Sequence, residues 1–379
     1  MTRLPASIMQ DPGLQSVFDA IRAGGHRAWL VGGAVRNALL GEPVGDLDLA
    51  TDAPPEAVTQ LARAAGLKPV PTGIDHGTVT VVAGGRGFEV TTLRHDVETD
   101  GRRAVVAFSD DLDQDARRRD FTMNALYADR DGTVIDPVGG LDDLHARRLR
   151  FVGDPAQRIA EDYLRILRFF RFLAWYGRDA DPAAVAACRD GRDGLDRISR
   201  ERIGQELRKL LMAPDPAPAV RLMRDTGVLD KVLPDATPGR FDALRSPAPW
   251  LARLAALSQA DLTDALRLSR PDARGHRTLV TALAEDWSFN RIAYRLTGDL
   301  AQGAALLVQT GASGPRPGWT DAQAAARPLP IAASDLQPYL QGPALGRGMK
   351  AAEEAWIESG FAMPPPALID IARLGGEAP

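Results

Sequence analysis

The stretch LVGGAVRNALLGEPVGDLDLAT, Leu30 to Thr51, decides how the rest of the chain is read. An apolar run, Trp29 to Val31, meets a turn at Gly32-Gly33. A short amphipathic segment follows through Arg36, Leu39 and Leu40, and the stretch ends in the alternation Asp46, Leu47, Asp48, Leu49. The pattern predicts strand, glycine turn, helix, strand. Successive side chains on a strand point to opposite faces, which puts Asp46 and Asp48 together on one side. Glycines let backbone N–H groups approach phosphate oxygens, and a helix start favours negative charge. Paired carboxylates suit hard ions such as magnesium, which binds through one or two carboxylates plus substrate phosphates. Either feature alone reads as a tight turn or a solvated strand face. Together, in this order, they predict a site that holds metal ions against a triphosphate.

At 379 residues the chain exceeds one small core, so two or three domains are expected. With 45% hydrophobic and 25% charged residues the composition is that of a soluble globular protein. The single cysteine, Cys188, excludes an intramolecular disulfide and a cysteine-built zinc site, and it fits a reducing cytoplasm. No long apolar run and no signal-like N-terminus is present, so neither export nor a membrane is expected. A formal charge of −4 confines any nucleic-acid partner to local basic clusters.

Residues 11 to 25 predict an amphipathic helix stopped by Gly24-Gly25, and Pro55 to Ala65 a second one. Thr78 to Val82 is β-branched, Gly84 to Gly87 is a turn, and Phe88 to Leu93 alternates, which predicts a hairpin. Glu89 then sits on a strand able to lie beside that of Asp46 and Asp48. It reads either as a third acidic group of the site or as an exposed edge-strand glutamate. Residues 94 to 116 are polar, charged and glycine-broken, and they predict a long loop, a feature usually functional or disordered.

These residues carry a resemblance. The Leu30 to Thr51 stretch resembles the signature of the polymerase-beta-like nucleotidyltransferases, in particular the class II tRNA nucleotidyltransferases and their bacterial poly(A) polymerase relatives. One departure stands out: the family usually has Asp after the arginine of the glycine turn, and here the position is Asn37. Arg117 to Leu126, RRRDFTMNAL, is similar to the family's second motif, which contacts sugar and phosphates. Arginine forks bind triphosphate oxygens bidentately and a carboxylate can accept from a ribose 2′-OH. Arg119 is accordingly assigned to phosphate or ribose and Asp120 to the 2′-OH. DPVGGLDDL, from Asp136, resembles the third, connecting motif. The loop at 94 to 116 matches in position a flexible loop of full CCA-adding members, which favours terminal adenosine addition.

From Asp154 to Trp175 the spacing predicts one continuous helix, capped by Asp154 with Pro155 at its first position. Ile159, Tyr163, Ile166, Phe170 and Leu173 form its apolar face. Arg158, Glu161, Asp162, Arg165, Arg168 and Phe172 lie opposite, a set that by itself reads as solvated ion pairs. Cytosine and adenine each present an exocyclic amine beside an unprotonated ring nitrogen; uracil and guanine present the reverse. A carboxylate and an arginine one turn apart complement the first pair and leave stranded polar groups against the second. The segment EDYLRILR is similar to the family's fourth motif, and the resemblance implies Asp162 and Arg165 as base readers, Arg168 as a nucleotide contact and Glu161 as the residue that positions Arg165. SRERIGQELRKLL, near 199 to 211, looks like the fifth, stabilising motif or a plain surface helix.

Beyond Pro214 the alanine- and leucine-rich, proline-punctuated sequence predicts short helices. Gly342, Pro343, Gly346, Arg347, Gly348 and Lys350 resemble a C-terminal element of bacterial members; they read as an RNA-backbone contact or as an ordinary glycine-led helix. The expected fold is α+β: a mixed-sheet nucleotidyltransferase head over 1–140, an all-helical neck with the base-reading helix over 141–213, and a helical, RNA-binding body and tail over 214–379. The resemblance implies addition of CMP, CMP and AMP from CTP and ATP to the tRNA 3′ end by two-metal transfer. Asp46 and Asp48 would bind Mg2+, Glu89 would assist, and Gly33 and Arg36 would cradle the triphosphate. A poly(A) polymerase or an A-adding enzyme is the alternative.

Overall fold

The computed structural model describes residues 2–74, 77–100, 103–233, 235–244, 247–311 and 318–377. They form two compact units, Met1–Val232 and Leu233–Pro379.

The first unit is built on a mixed seven-stranded sheet in the order β3-β4-β5-β2-β1-β8-β9. Its strands are β1 (Ala28–Val31), β2 (Leu49–Thr51), β3 (Lys68–Gly73), β4 (Thr78–Ala83), β5 (Arg86–Thr92), β8 (Tyr127–Ala128) and β9 (Val134–Ile135). β6 (Arg94–Asp100) and β7 (Arg103–Phe108) pair separately as an antiparallel hairpin. Helix α1 (Ala6–Met9) precedes α2 (Pro12–Ala23), whose cap is Asp11 accepting from Leu14 N at 2.8 Å. Leu14, Val17, Phe18 and Ile21 on α2 are buried. Helices α3 (Gly33–Leu40) and α4 (Pro55–Ala64) complete the crossovers around β2. Gly84 and Gly85, both at positive φ, make the tight turn between β4 and β5.

Register does the positioning. β1 lies antiparallel to β2 and β2 parallel to β5, with Leu49 opposite Val90, so Asp48, just ahead of β2, and Glu89 on β5 both come one step before that pair. Two sequence expectations shift. β2 begins at Leu49, so Asp46 and Asp48 lie just ahead of the strand, although the Asp48 carbonyl already accepts from Val31 N at 3.0 Å. The long loop at 94 to 116 is largely the β6-β7 hairpin followed by α5 (Leu112–Arg117); charged residues there alternate with Val and Thr, a strand period that their polarity disguised. Gly101 and Arg102 lie outside the described residues.

After α6 (Gly140–His145), held by Asp136 accepting from Gly140 N and Leu141 N at 2.7 and 2.9 Å, comes a helical layer. It comprises α7 (Pro155–Glu161), α8 (Leu164–Tyr176), α9 (Pro182–Gly191), α10 (Arg200–Leu211), α11 (Ala217–Asp225) and α12 (Val228–Val232). The expected single helix over 154 to 175 is therefore two. Asp162 is extended at φ −152° and ψ 106°, and its carboxylate accepts from Leu164 N at 3.0 Å, so it ends α7 and starts α8. The apolar spacing runs straight across the break, which is why periodicity missed it. An aromatic cluster of Phe121, Phe151, Phe169 and Phe172, with ring centroids 5.0 to 6.3 Å apart, locks α8 to the head.

The second unit is helical. Its last two helices, Gly342–Glu358 and Pro365–Glu377, pack with Leu336, Ala352, Trp356, Phe361 and Leu368 into one core. Among the described residues no helix is long and apolar enough to cross a membrane.

Candidate active site

A cavity of about 780 Å³ opens in the first unit. Its walls come from the β1-α3 turn, the edge of β2, β5, α5, the segment after it, and the α7-α8 junction. Gly33, Arg36, Asp48, Glu89, Arg119, Asp120, Asp162, Arg165 and Arg168 all line it; Asp46 and Glu161 do not. The structure thus gathers residues separated by more than a hundred positions into one space, and it leaves Asp46 exposed and outside that lining.

Gly32 has φ +65° and ψ −122°, a backbone closed to other residues, and it precedes the first residue of α3. A Cβ there would stand 3.6 Å from Arg119 Nη1, in van der Waals contact, so the turn lies beside that guanidinium. Backbone N–H groups at the start of α3 and Arg119 Nη1, the arm beside the turn, together offer donors to an anion.

On the acidic side, burial pushes the Asp48 carboxyl up, and Glu89 and Asp46 push it further, with Arg119 opposing. This is an accumulation of negative charge short of a counter-cation. Among the described residues no group of three or more His, Cys, Asp and Glu is already gathered to hold a metal ion. The carboxylates form an open donor set, of the kind that magnesium completes with phosphate and water oxygens.

Arg119 is held by Asp115, whose Oδ2 accepts from its Nη2 at 2.9 Å, and by Tyr127 Oη, which accepts from its Nε at 2.9 Å. Tyr127 donates to the same carboxylate at 2.7 Å. Burial alone would raise the Asp115 carboxyl; Arg119 and Arg118 outweigh it and hold Asp115 below the usual carboxylate range. Asp120 is likewise buried yet held low, by Arg168 first. Its Oδ1 accepts from Phe121 N at 2.9 Å and Asn124 Nδ2 at 3.1 Å, and its Oδ2 accepts from Arg168 Nε at 3.0 Å and from Arg168 Nη2. All four lone-pair positions are occupied, so a ribose hydroxyl gains Asp120 only by displacing a donor.

Arg36 is buried and engaged. Its Nε and Nη2 donate to Asn37 Oδ1 at 3.1 and 2.9 Å, Nη1 donates to Asn124 Oδ1, and the guanidinium lies 3.8 Å from the Tyr176 ring centroid. Burial lowers its pKa, opposed by Tyr176 and Asp120. Asn37 has a use that aspartate could not supply: its Nδ2 donates to Pro43 O at 2.8 Å, tying Arg36 to the loop that leads to Asp46.

At the α7-α8 junction Glu161 Oε2 accepts from both Arg158 Nη1 and Arg165 Nη1, and Arg165 also donates to Arg158 O at 2.7 Å. Asp162 Oδ2 accepts from Arg202 Nη2 at 2.9 Å. Sequence reasoning missed Arg202, Asp115 and Asn124. The RRRDFTMNAL and SRER runs contained Asn124 and Arg202, but the partners lie 88 and 40 residues apart for Arg36-Asn124 and Arg202-Asp162.

A mixed sheet that sets carboxylates beside a glycine-led helix start, with arginines across from them, defines the nucleotidyltransferase class. The comparisons with known proteins agree. A model of the poly A polymerase head domain matches residues 28–150, and one described as a probable RNA and SrmB-binding site of polymerase A matches residues 180–239. The Homo sapiens protein "CCA tRNA nucleotidyltransferase 1, mitochondrial" is 42% identical over 223 residues, covering 57% of this chain and 51% of that one. A Streptococcus gordonii "CCA-adding enzyme" is 40% identical over 266 residues, covering 66% and 65%. The chain thus spans less than two thirds of these curated relatives' lengths. A crystal structure of the Bacillus stearothermophilus CCA-adding enzyme in complex with CTP superposes with a TM-score of 0.74 at 30% identity, covering 92% of each chain. The chain belongs to the family of CCA-adding enzymes and poly(A) polymerases.

Proposed function

We propose that this chain adds CMP, CMP and AMP, from CTP and ATP, to the 3′ end of tRNA. The observation that carries the reading is the single cavity in which Asp48 and Glu89, the Gly32-Arg119 anion site and the Asp162-Arg165 pair face one space. Asp46 and Asp48 would hold Mg2+, with Glu89 beside them. When bound, the ions supply charge neutralisation at the triphosphate and a more acidic 3′-OH. The chain's own residues do the rest. The start of α3 and Arg119 orient the phosphates; Arg168 and Asp120 meet the sugar side. Gly33 opens the backbone, and Arg36, stacked on Tyr176, holds α3 against α8.

Base choice falls to Asp162 and Arg165. Asp162 has its two observed donors and spare lone pairs for an exocyclic amine, while Arg165 can donate to a ring nitrogen. Glu161 and Arg202 hold the two readers in place. Uracil and guanine would bring carbonyl against carboxylate and N–H against guanidinium, leaving stranded groups that cost about 1–3 kcal/mol each. No nucleic-acid template is then required. The described Cys188 is buried and free, and a reducing cytoplasm is the proposed compartment.

Extension of a labelled tRNA transcript ending at its discriminator base tests this, with magnesium and CTP, ATP, both, or UTP and GTP. The expected product is CC with CTP and a single further A once ATP is added. Open-ended A addition to tRNA and unrelated RNA alike would mean a poly(A) polymerase. One A accepted only by tRNA already ending in CC would mean an A-adding enzyme.

A further inference from the structure

Trp175 is exposed at the end of α8 and has no part in the site described so far. Arg168, Arg171, Phe172, Trp175 and Tyr176 recur at three- and four-residue steps and share one helix face. Arg168 and Phe172 line the main cavity. Arg171, Phe172, Trp175 and Tyr176 line a second one, of about 240 Å³, together with Lys209 and Met212 on and just after α10. Phe172 belongs to both. From it the rings continue outward, with centroids 5.7 Å from Phe172 to Tyr176 and 6.4 Å from Tyr176 to Trp175.

Trp175 is 39% exposed, and its ring is held because Nε1 donates to Lys209 O at 2.8 Å. The Lys209 side chain is 54% exposed, its ammonium 3.8 Å from Glu206 Oε1. Arg171 Nε lies 2.7 Å from Glu206 Oε2, an ion pair without hydrogen-bond alignment. Two cations against one carboxylate leave one net positive charge around an exposed aromatic plane. In a chain of net charge −4 such a local face is informative. Its chemistry fits unpaired nucleobases, which stack on aromatic rings in any sequence, with their phosphates near cations. Seven residues of helix separate Arg168 from Trp175, a rise of roughly 10 Å, enough for about three stacked bases.

We propose that Trp175, with Tyr176 and Lys209, is a stacking shelf for the unpaired 3′-terminal bases of the acceptor RNA. The assignment rests on the transfer reading above. The test uses the full chain and a fluorescently labelled RNA pentamer ending in ACC, beside kinetics on tRNA. Trp175→Ala is expected to weaken pentamer binding and raise the acceptor KM about 5- to 100-fold, with the CTP KM unchanged. Trp175→Phe recovers most of the loss, which a purely structural role of the Nε1 bond would not allow. Lys209→Glu, on an exposed side chain, is expected to weaken binding and flatten its salt dependence. Pentamer affinity and acceptor KM equal to wild type in Trp175→Ala, or a change confined to the CTP KM, would overturn the shelf. So would an unaltered affinity and salt slope in Lys209→Glu, should the alanine variant not fold. A wild type that binds the pentamer but extends no tRNA would instead overturn the transfer reading.

Discussion

Glycines gather at two places with opposite uses: at the cavity of the first unit and along the last helix pair of the second. Beside Gly32 a Cβ would meet nothing nearer than Arg119 Nη1 at 3.6 Å; the residue is required by its φ of +65° and by the space it leaves. A Cβ on Gly348 would stand 2.7 Å from Ala372 O, and one on Gly376 2.8 Å from Ala344 O. These last glycines let two helices touch. Arg347, read from sequence as part of either an RNA-backbone contact or an ordinary glycine-led helix, donates to Gly376 O at 2.7 Å and so caps the same pairing. A glycine signature therefore means little until the structure shows whether space or backbone lies beside it.

Substitutions sharpen that contrast. The largest effect belongs to the carboxylates proposed to hold metal: Asp48→Ala or Asp46→Ala is expected to lower transfer about a thousandfold or more, measured as single-turnover CMP addition. Asp48→Asn adds a second readout. Because burial, Glu89 and Asp46 raise the Asp48 carboxyl, its charged form costs stability above the ordinary carboxylate range. The variant is expected to melt higher than wild type at pH 7 without magnesium. Added magnesium is expected to raise the wild-type Tm and leave the variant's unmoved; equal shifts in both would remove Asp48 from the metal site.

Gly376→Ala comes next and acts on the other cluster. Overpacking the helix pair is expected to cost about 1–3 kcal/mol in urea unfolding while kcat stays at the wild-type value. Gly32→Ala differs in its kinetics, adding a fall in kcat/KM to about 1–3 kcal/mol of backbone strain. A Gly32→Ala enzyme with intact kinetics would break the comparison. Arg202→Met, smaller again, frees Asp162 and is expected to raise UTP misincorporation roughly tenfold with little change in CTP turnover.

The smallest effect is with pH. Asp115 and Asp120 are both held below their ordinary values, so the stability they contribute is fully present above about pH 4 and is lost as pH falls through their lower folded values. Acid titration of Asp115→Asn is expected to show a shallower loss below pH 4 than wild type.

Much of the head was legible because its signals are local. The Gly32-Gly33 turn, the Gly84-Gly85 hairpin and the alternation around Glu89 each act within a few residues, and parallel pairing of β2 with β5 then brings Asp48 and Glu89 together. What escaped was set at long range. The break at Asp162 is invisible to a helical period that continues through Tyr163 and Ile166, and it is made by a capping carboxylate that Arg202 grips from α10. The β6-β7 hairpin hid behind its charges. The burial of Arg36 depends on Asn124 and Tyr176, 88 and 140 residues further along the chain.

In the proposed mechanism two side chains in one cavity, Asp162 and Arg165, choose the base. Primer extension by Asp162→Ala with each nucleotide in turn tests it most directly. Discrimination of CTP and ATP against UTP and GTP is expected to fall by about tenfold or more while the variant still transfers nucleotides; a variant with full selectivity would rule out Asp162 as a base reader.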